Sequence, residues 1–270
     1  MFGFLGPNGA GKSTTIRVLL DFIRPTKGTA SVLGLDARKD SIAIKRRVGY
    51  LPGELAMYEK MTARELFGYF AGLRGMGDLG DAETVAERLD LDPDVKIRKY
   101  STGNRQKVGL VQAMMHRPEL LVLDEPTGGL DPLIQAEVHR MIDEVRAEGR
   151  TVFLSSHVLP EVERVADRVG IIRRGHLVVV DDVAEIKRHA VRKLILRFAD
   201  PVDPDAFRGL PAVVTVHALN DYEVEVAVEG SVDPVIKQAA AFETTSITAD
   251  DGDLEAAFLS FYADDEETVP

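Results

Sequence analysis

Gly6–Thr14 reads GPNGAGKST, with an apolar-and-glycine run, Phe2 to Leu5, before it and a helix-forming run after it. Glycine at Gly6 and Gly11 lets the chain wrap an anion closely enough for backbone N–H groups to point inward. Pro7, Asn8, Gly9 and Ala10 make the turn between them. Lys12 supplies a mobile positive charge that reaches the β- and γ-phosphates of a nucleotide. The Ser13 hydroxyl is a magnesium ligand, Thr14 lies in the same first helical turn, and a helix opening at Lys12 aims its positive dipole end at the phosphates. Strand, glycine loop and helix in that order are the context a phosphate-binding loop requires.

The helix after the loop is expected to run from Lys12 to about Ile23, ended by Pro25. A short β segment at Thr29–Leu33, a basic helix Ser41–Arg47 and a strand Val48–Leu51 follow, and Pro52-Gly53 breaks the chain. Thr62-Ala63-Arg64-Glu65 has capping-box spacing, and Leu66, Phe67, Phe70 and Leu73 follow at helical periodicity, their aromatic pair read as core. Further helices over Asp81–Leu89 and from just after Tyr100 make a helical insert, about residues 55–115. Strands Leu120–Asp124, Thr151–Ser155, Val169–Arg173 and His176–Val180 alternate with helices Pro132–Glu148 and Pro160–Ala166, so the sheet is mostly parallel.

The character changes near Ala190. Domains 1–190 and 191–270 are therefore expected, the second an α+β module of order βαββαβ with a closing helix Asp253–Tyr262. Its strand from Tyr222 to Val228 alternates Val224, Val226 and Val228 with Glu223 and Glu225, which suits a ferredoxin-like sheet with one wet face.

Composition excludes several classes. With 270 residues and 45% hydrophobic content the chain can build sizeable cores. No apolar run reaches the roughly 18 residues of a membrane span. There is no cysteine for disulfides, thiolate metal sites or nucleophiles. A net charge of −11 argues against a nucleic-acid partner. The chain is accordingly expected to be cytoplasmic.

Three further stretches carry chemistry. Leu120–Glu125 ends a buried strand in two carboxylates: Asp124 is placed to hold magnesium, and Glu125 to polarise water attacking the γ-phosphate. Tyr100-Ser101-Thr102-Gly103-Asn104 opens a helix in a manner suited to an anion or to simple capping. Ser155-Ser156-His157 ends a strand with an imidazole able to donate to phosphate. Asp131, after Gly128-Gly129-Leu130, reaches a second subunit or caps the helix at Pro132. His116, His139, His176, His189 and His217 read as surface or packing residues.

Taken together, Phe2 to about Ile186 resembles the ATP-binding cassette family, with a RecA-like P-loop core. GPNGAGKST looks like Walker A, LLVLDE like Walker B, YSTGN like the family signature, GGLD like the D-loop and His157 like the switch histidine. The resemblance implies ATP with Mg2+ sandwiched in a dimer, in which Ser101 and Gly103 of one chain meet the γ-phosphate held by Lys12 and Ser13 of the other. It implies a separate transmembrane permease as partner and a peripheral place on the inner face of the cell membrane. The C-terminal module, ending DLEAAFLSFY, is similar to the extension on ATPase subunits of drug and polyketide-antibiotic exporters. The implied function is an exporter's motor; a soluble ATP-switched regulator and a binding-only cassette are the rivals.

The sequence departs from the family pattern in three places. About 25–30 residues of paired β structure usually precede Walker A and carry an adenine-stacking aromatic residue. Their absence leads us to expect a start upstream of Met1, and ATP binding about tenfold to a hundredfold weaker without them. Gly53 stands where a glutamine is usual, so the neighbouring Glu54 is expected to sense the nucleotide. Thr102 replaces a glycine and Asn104 a glutamine in the signature.

Overall fold

Phe2 to Leu5 forms β1 (Phe2–Leu5), and the glycine loop leads from it into α1 (Lys12–Leu19). These and the following elements come from a computed structural model that describes residues 1–188, 191–250, Leu254 and Phe258. The chain divides into two compact units, Met1–Val180 and Asp181–Pro270. Ala190, where the sequence changes character, and His189 lie outside the described residues.

In the first unit a hairpin of β2 (Ser31–Val32) and β3 (Leu35–Asp36) precedes α2 (Ser41–Arg47) and β4 (Val48–Leu51). The helical insert comprises α3 (Ala63–Arg74), α4 (Ala82–Arg88) and α5 (Thr102–Met114). Then come β5 (Leu120–Asp124), α6 (Pro132–Ala147), β6 (Thr151–Ser156), α7 (Leu159–Val165), β7 (Arg168–Arg173) and β8 (His176–Asp182). The sheet order is β4-β5-β6-β1-β7-β8, and the pairs β4/β5, β5/β6, β6/β1 and β1/β7 are parallel. Continuous apolar runs make this possible: Leu121, Val122 and Leu123 of β5 are all buried, as a strand covered on both faces must be.

Three local expectations change. Helix α1 stops at Leu19, four residues early, because Asp21 takes a left-handed conformation with φ 54°. The Phe22 N–H then reaches Arg17 O at 2.8 Å and the Asp21 N–H reaches Val18 O at 3.1 Å, a Schellman closure that needs no proline. The segment expected as one strand at Thr29–Leu33 is a hairpin, its two turn residues Leu33 and Gly34 both at positive φ. On α3 the capping box forms, with Glu65 N–H donating to Thr62 Oγ1 and Thr62 N–H to Glu65 Oε2. Phe67 is buried as expected, but Phe70 instead lines a surface recess with Phe22, Tyr50 and Leu73.

The second unit holds α8 (Val183–Arg188), which the sequence did not announce, and β9 (Val191–Phe198), β10 (Val213–Asn220), β11 (Glu223–Glu229), α9 (Asp233–Ala239) and β12 (Thr244–Asp250). Its antiparallel sheet has the order β10-β11-β9-β12, the ferredoxin-like arrangement. The first expected helix is only a 3-10 turn at Pro204–Phe207, which Gly209 and Pro211 leave no room to extend. Leu194, Leu196, Phe198, Phe207, Val224 and Val226 form its core. Of the closing helix expected at Asp253–Tyr262, only Leu254 and Phe258 belong to the described residues.

His116, in the first unit, donates from Nε2 to Val48 O at 3.2 Å, and its Nδ1 is buried with no partner among the described residues. Burial, helped by the charge of Arg74, pushes its pKa down to about 4 from an ordinary 6.5. Between those two values the unfolded chain binds a proton that the folded chain refuses. Stability is therefore expected to fall as pH drops from about 6.5 toward 4, and His116→Gln to flatten that part of a urea-denaturation pH profile.

Candidate active site

The loop between β1 and α1 owes its shape to two kinds of glycine. Gly11, at φ 111°, sits where a side chain would be strained. Gly6 has a reason beyond the one its spacing suggested: an added Cβ would stand 2.4 Å from Ile172 O on β7, so the sheet too requires the loop's first glycine. The Gly175 N–H donates to Ala10 O at 2.9 Å and pins the loop to the turn between β7 and β8. Ala10 itself is buried against Phe4 and Ile172 and does not line the cavity.

Lys12 is only 6% exposed, and its Nζ donates to Gly6 O at 2.6 Å and Pro7 O at 3.3 Å. The same ammonium lies 3.8 Å from Glu125 Oε1. A buried charge needs such partners, and here the loop's own carbonyls supply them.

At the end of β5, Asp124 is 2% exposed, and its Oδ2 accepts from Ser13 Oγ at 2.7 Å. Its Oδ1 is buried without a partner among the described residues. A buried carboxylate oxygen left unpaired beside a hydroxyl is a donor set that suits magnesium, which takes one or two protein oxygens and completes its shell with phosphate and water. Gly53 borders this point, since a Cβ there would be 3.3 Å from Asp124 Oδ2, and Glu54 lines the cavity next to it.

Glu125 has the left-handed backbone, φ 53°, that a glutamate rarely adopts. Its N–H donates to Ser155 O on β6 at 2.9 Å. The carboxylate thereby faces His157, whose Nδ1 lies 2.8 Å from Glu125 Oε2. His157 is 53% exposed at the end of β6. Behind both, Glu161 on α7 accepts from the Thr127 hydroxyl and, at 3.3 Å, from the Ser156 hydroxyl, tying the turn after Glu125 to the turn before His157.

The cavity, about 310 Å³, is lined by most of the loop from Pro7 to Thr14 and by Asp124, Glu125, Gly53 and Glu54. Arg17 also lines it and went unnoticed in the sequence, although it stands one helical turn beyond Ser13. Three residues picked from the sequence lie elsewhere in the single chain. Ser101 Oγ caps α5 by accepting from the Asn104 N–H at 3.2 Å, with Gly103 in the first turn of the same helix. Asp131 caps α6, accepting from the N–H groups of Leu133 and Ile134 at 3.1 Å each.

Comparison with known proteins gives a consistent result. The family model described as "ABC transporter" matches residues 1–128. The linearmycin resistance ATP-binding protein of Bacillus subtilis is 30% identical over 275 residues, covering 96% of this chain and 88% of that protein. The bacitracin transport ATP-binding protein of Bacillus licheniformis is 38% identical over 203 residues, 74% of this chain and 66% of that protein. An uncharacterised ABC transporter ATP-binding protein of Nostoc sp. is 41% identical over 192 residues, and the chain spans 57% of its length. Among solved structures, the ATP-binding subunit of an ABC transporter superposes with a TM-score of 0.65 at 29% identity, covering 70% of this chain and 80% of that one.

If Ser13 and Asp124 hold magnesium, Asp124→Asn is expected to weaken magnesium-dependent binding of a fluorescent ATP analogue about tenfold or more. Binding measured in EDTA should change little, which separates loss of the metal from loss of the loop.

Proposed function

We propose, from the premise that the chain belongs to the ABC transporter family of ATP-binding proteins, that it is the ATP-hydrolysing motor subunit of an exporter. In this reading two copies close on two ATP molecules, and their closure and reopening drive a separate membrane permease. The observation that carries it is Glu125: a carboxylate at the cavity wall, in a strained backbone, between Lys12 at 3.8 Å and His157 at 2.8 Å. Strain retained at such a place marks a group whose position matters for chemistry.

The geometry supports the following roles. The N–H groups of the loop and the Lys12 ammonium bind the β- and γ-phosphates. Ser13 and Asp124 would hold magnesium, which neutralises charge on the phosphate oxygens. Glu125 takes the proton of the attacking water, and the bond from His157 Nδ1 keeps its carboxylate turned toward the cavity. His157 can serve Glu125 and a γ-phosphate oxygen as donor at the same time only as the imidazolium, because the neutral ring has one N–H. Ser101 and Gly103, standing clear of the chain's own cavity, suit contact with ATP in the second subunit, and Asp131 then lies at that dimer face.

The export reading is supported by relatives named for bacitracin transport, linearmycin resistance and multidrug transport. No helix among the described residues is long and apolar enough to cross a membrane, so a separate permease would provide the path. The recess of about 540 Å³ lined by Phe22, Ile42, Tyr50, Pro52, Phe70 and Leu73 is the surface we propose for it. An exposed apolar concavity of that kind fits the apolar side of a helix from the permease's cytoplasmic loops.

Magnesium-dependent ATP hydrolysis by the purified chain, beside Glu125→Gln prepared identically, tests the core of this reading. The wild type should turn over, and the variant should lose about a hundredfold or more; equal rates would sink it. For the partner surface, Phe70→Glu is expected to leave hydrolysis by the free chain within about twofold. It should cut cosedimentation with membranes containing the permease about tenfold, because a charge enters an apolar contact.

A further inference from the structure

Helix α5 touches the turn that follows Glu125 at two places. At Gly103 an added Cβ would lie 2.7 Å from Gly129 O, so the two backbones are in contact there. One helical turn on, Gln106 is 7% exposed and directs its amide at the same segment, Nε2 donating to Glu125 O at 2.9 Å and to Pro126 O at 3.1 Å. The strained Glu125 residue is therefore held through both flanking peptides, its N–H by β6 through Ser155 O and its carbonyl by α5 through Gln106. The primary amide suits this place. It offers two protons to two consecutive carbonyls, whereas glutamate would present oxygens to them and methionine nothing.

We infer that Gln106 is a positioning residue for hydrolysis, fixing the Glu125 turn and linking its setting to the position of α5. The inference rests on the reading above, in which Ser101 and Gly103 at the head of α5 meet the partner subunit's ATP. ATP bound in one subunit then seats α5 of the other. Gln106 and the Gly103–Gly129 contact pass that seating to the second subunit's own Glu125. The two ATP sites are thereby coupled through contacts inside a single protomer, from Ser101 to Gln106 to Glu125.

The test is steady-state MgATP hydrolysis by the full chain, comparing the wild type with Gln106→Met and Gln106→Glu. Losing two buried bonds to the Glu125 turn should lower kcat about tenfold or more, with KM within about threefold. The glutamate variant should be the slower of the two. The wild type should show a Hill coefficient for ATP above one, and Gln106→Met should bring it to about one. A purely structural role would not produce that last change. Gln106→Asn keeps a buried amide but is one methylene too short, and it serves if the methionine variant melts too low to assay, with the same loss of kcat expected.

Wild-type kcat in a folded Gln106 variant, or KM rising as much as kcat falls, overturns the positioning role. A wild-type Hill coefficient of one overturns the coupling. These results leave the motor reading intact provided Glu125→Gln is inactive, whereas a wild type that does not hydrolyse ATP overturns both.

Discussion

Parallel register across three strands governs the site. Phe4 on β1 lies opposite Ser155 on β6, and Ser155 lies opposite Asp124 on β5. The phosphate loop leaves the first strand, the carboxylates end the third, and the histidine follows the second, so all three emerge at one edge of the sheet. A slip of one residue in either pairing would turn every side chain of a strand to the other face. The sheet is specified by buried apolar residues along β5, and the polar ends inherit their alignment from it.

The same edge concentrates polar groups where water is scarce. Lys12, Asp124, Thr127, Ser155 and Ser156 are all buried. Most have partners, but Asp124 Oδ1 and Ser155 Oγ have none among the described residues. Unpaired buried oxygens destabilise a fold, and they are tolerated where a ligand completes them. In the proposed reading nucleotide and magnesium complete these atoms, so this edge would be more stable with them bound, and binding and folding would be linked there.

How far the sequence could be read depended on whether a feature was local. The loop, the carboxylates at the end of β5 and the Thr62 capping box are each set by a few neighbouring residues, and they were legible. The end of α1 was misjudged because Asp21 adopts a conformation usually left to glycine or asparagine, which composition does not reveal. Gly6 has a further reason that its spacing could not show, since the atom that forbids a side chain there belongs to β7, far along the chain. Gln106 gave no sign at all. A glutamine one turn into a helix is ordinary until the fold brings the carbonyl of Glu125 to it. Arg17 and Phe70 illustrate the same limit, as each faces a cavity whose other walls come from remote segments.

The joint between α5 and the turn after Glu125 has a mechanical character of its own. Backbone contact between Gly103 and Gly129 resists compression, while the pair of bonds from Gln106 resists extension. A contact alone can push but not pull, and a hydrogen bond alone yields under sideways load. Built together within one turn of helix, they form a strut that bears load in both directions, so a carboxylate carried on it can be withdrawn as readily as it is advanced.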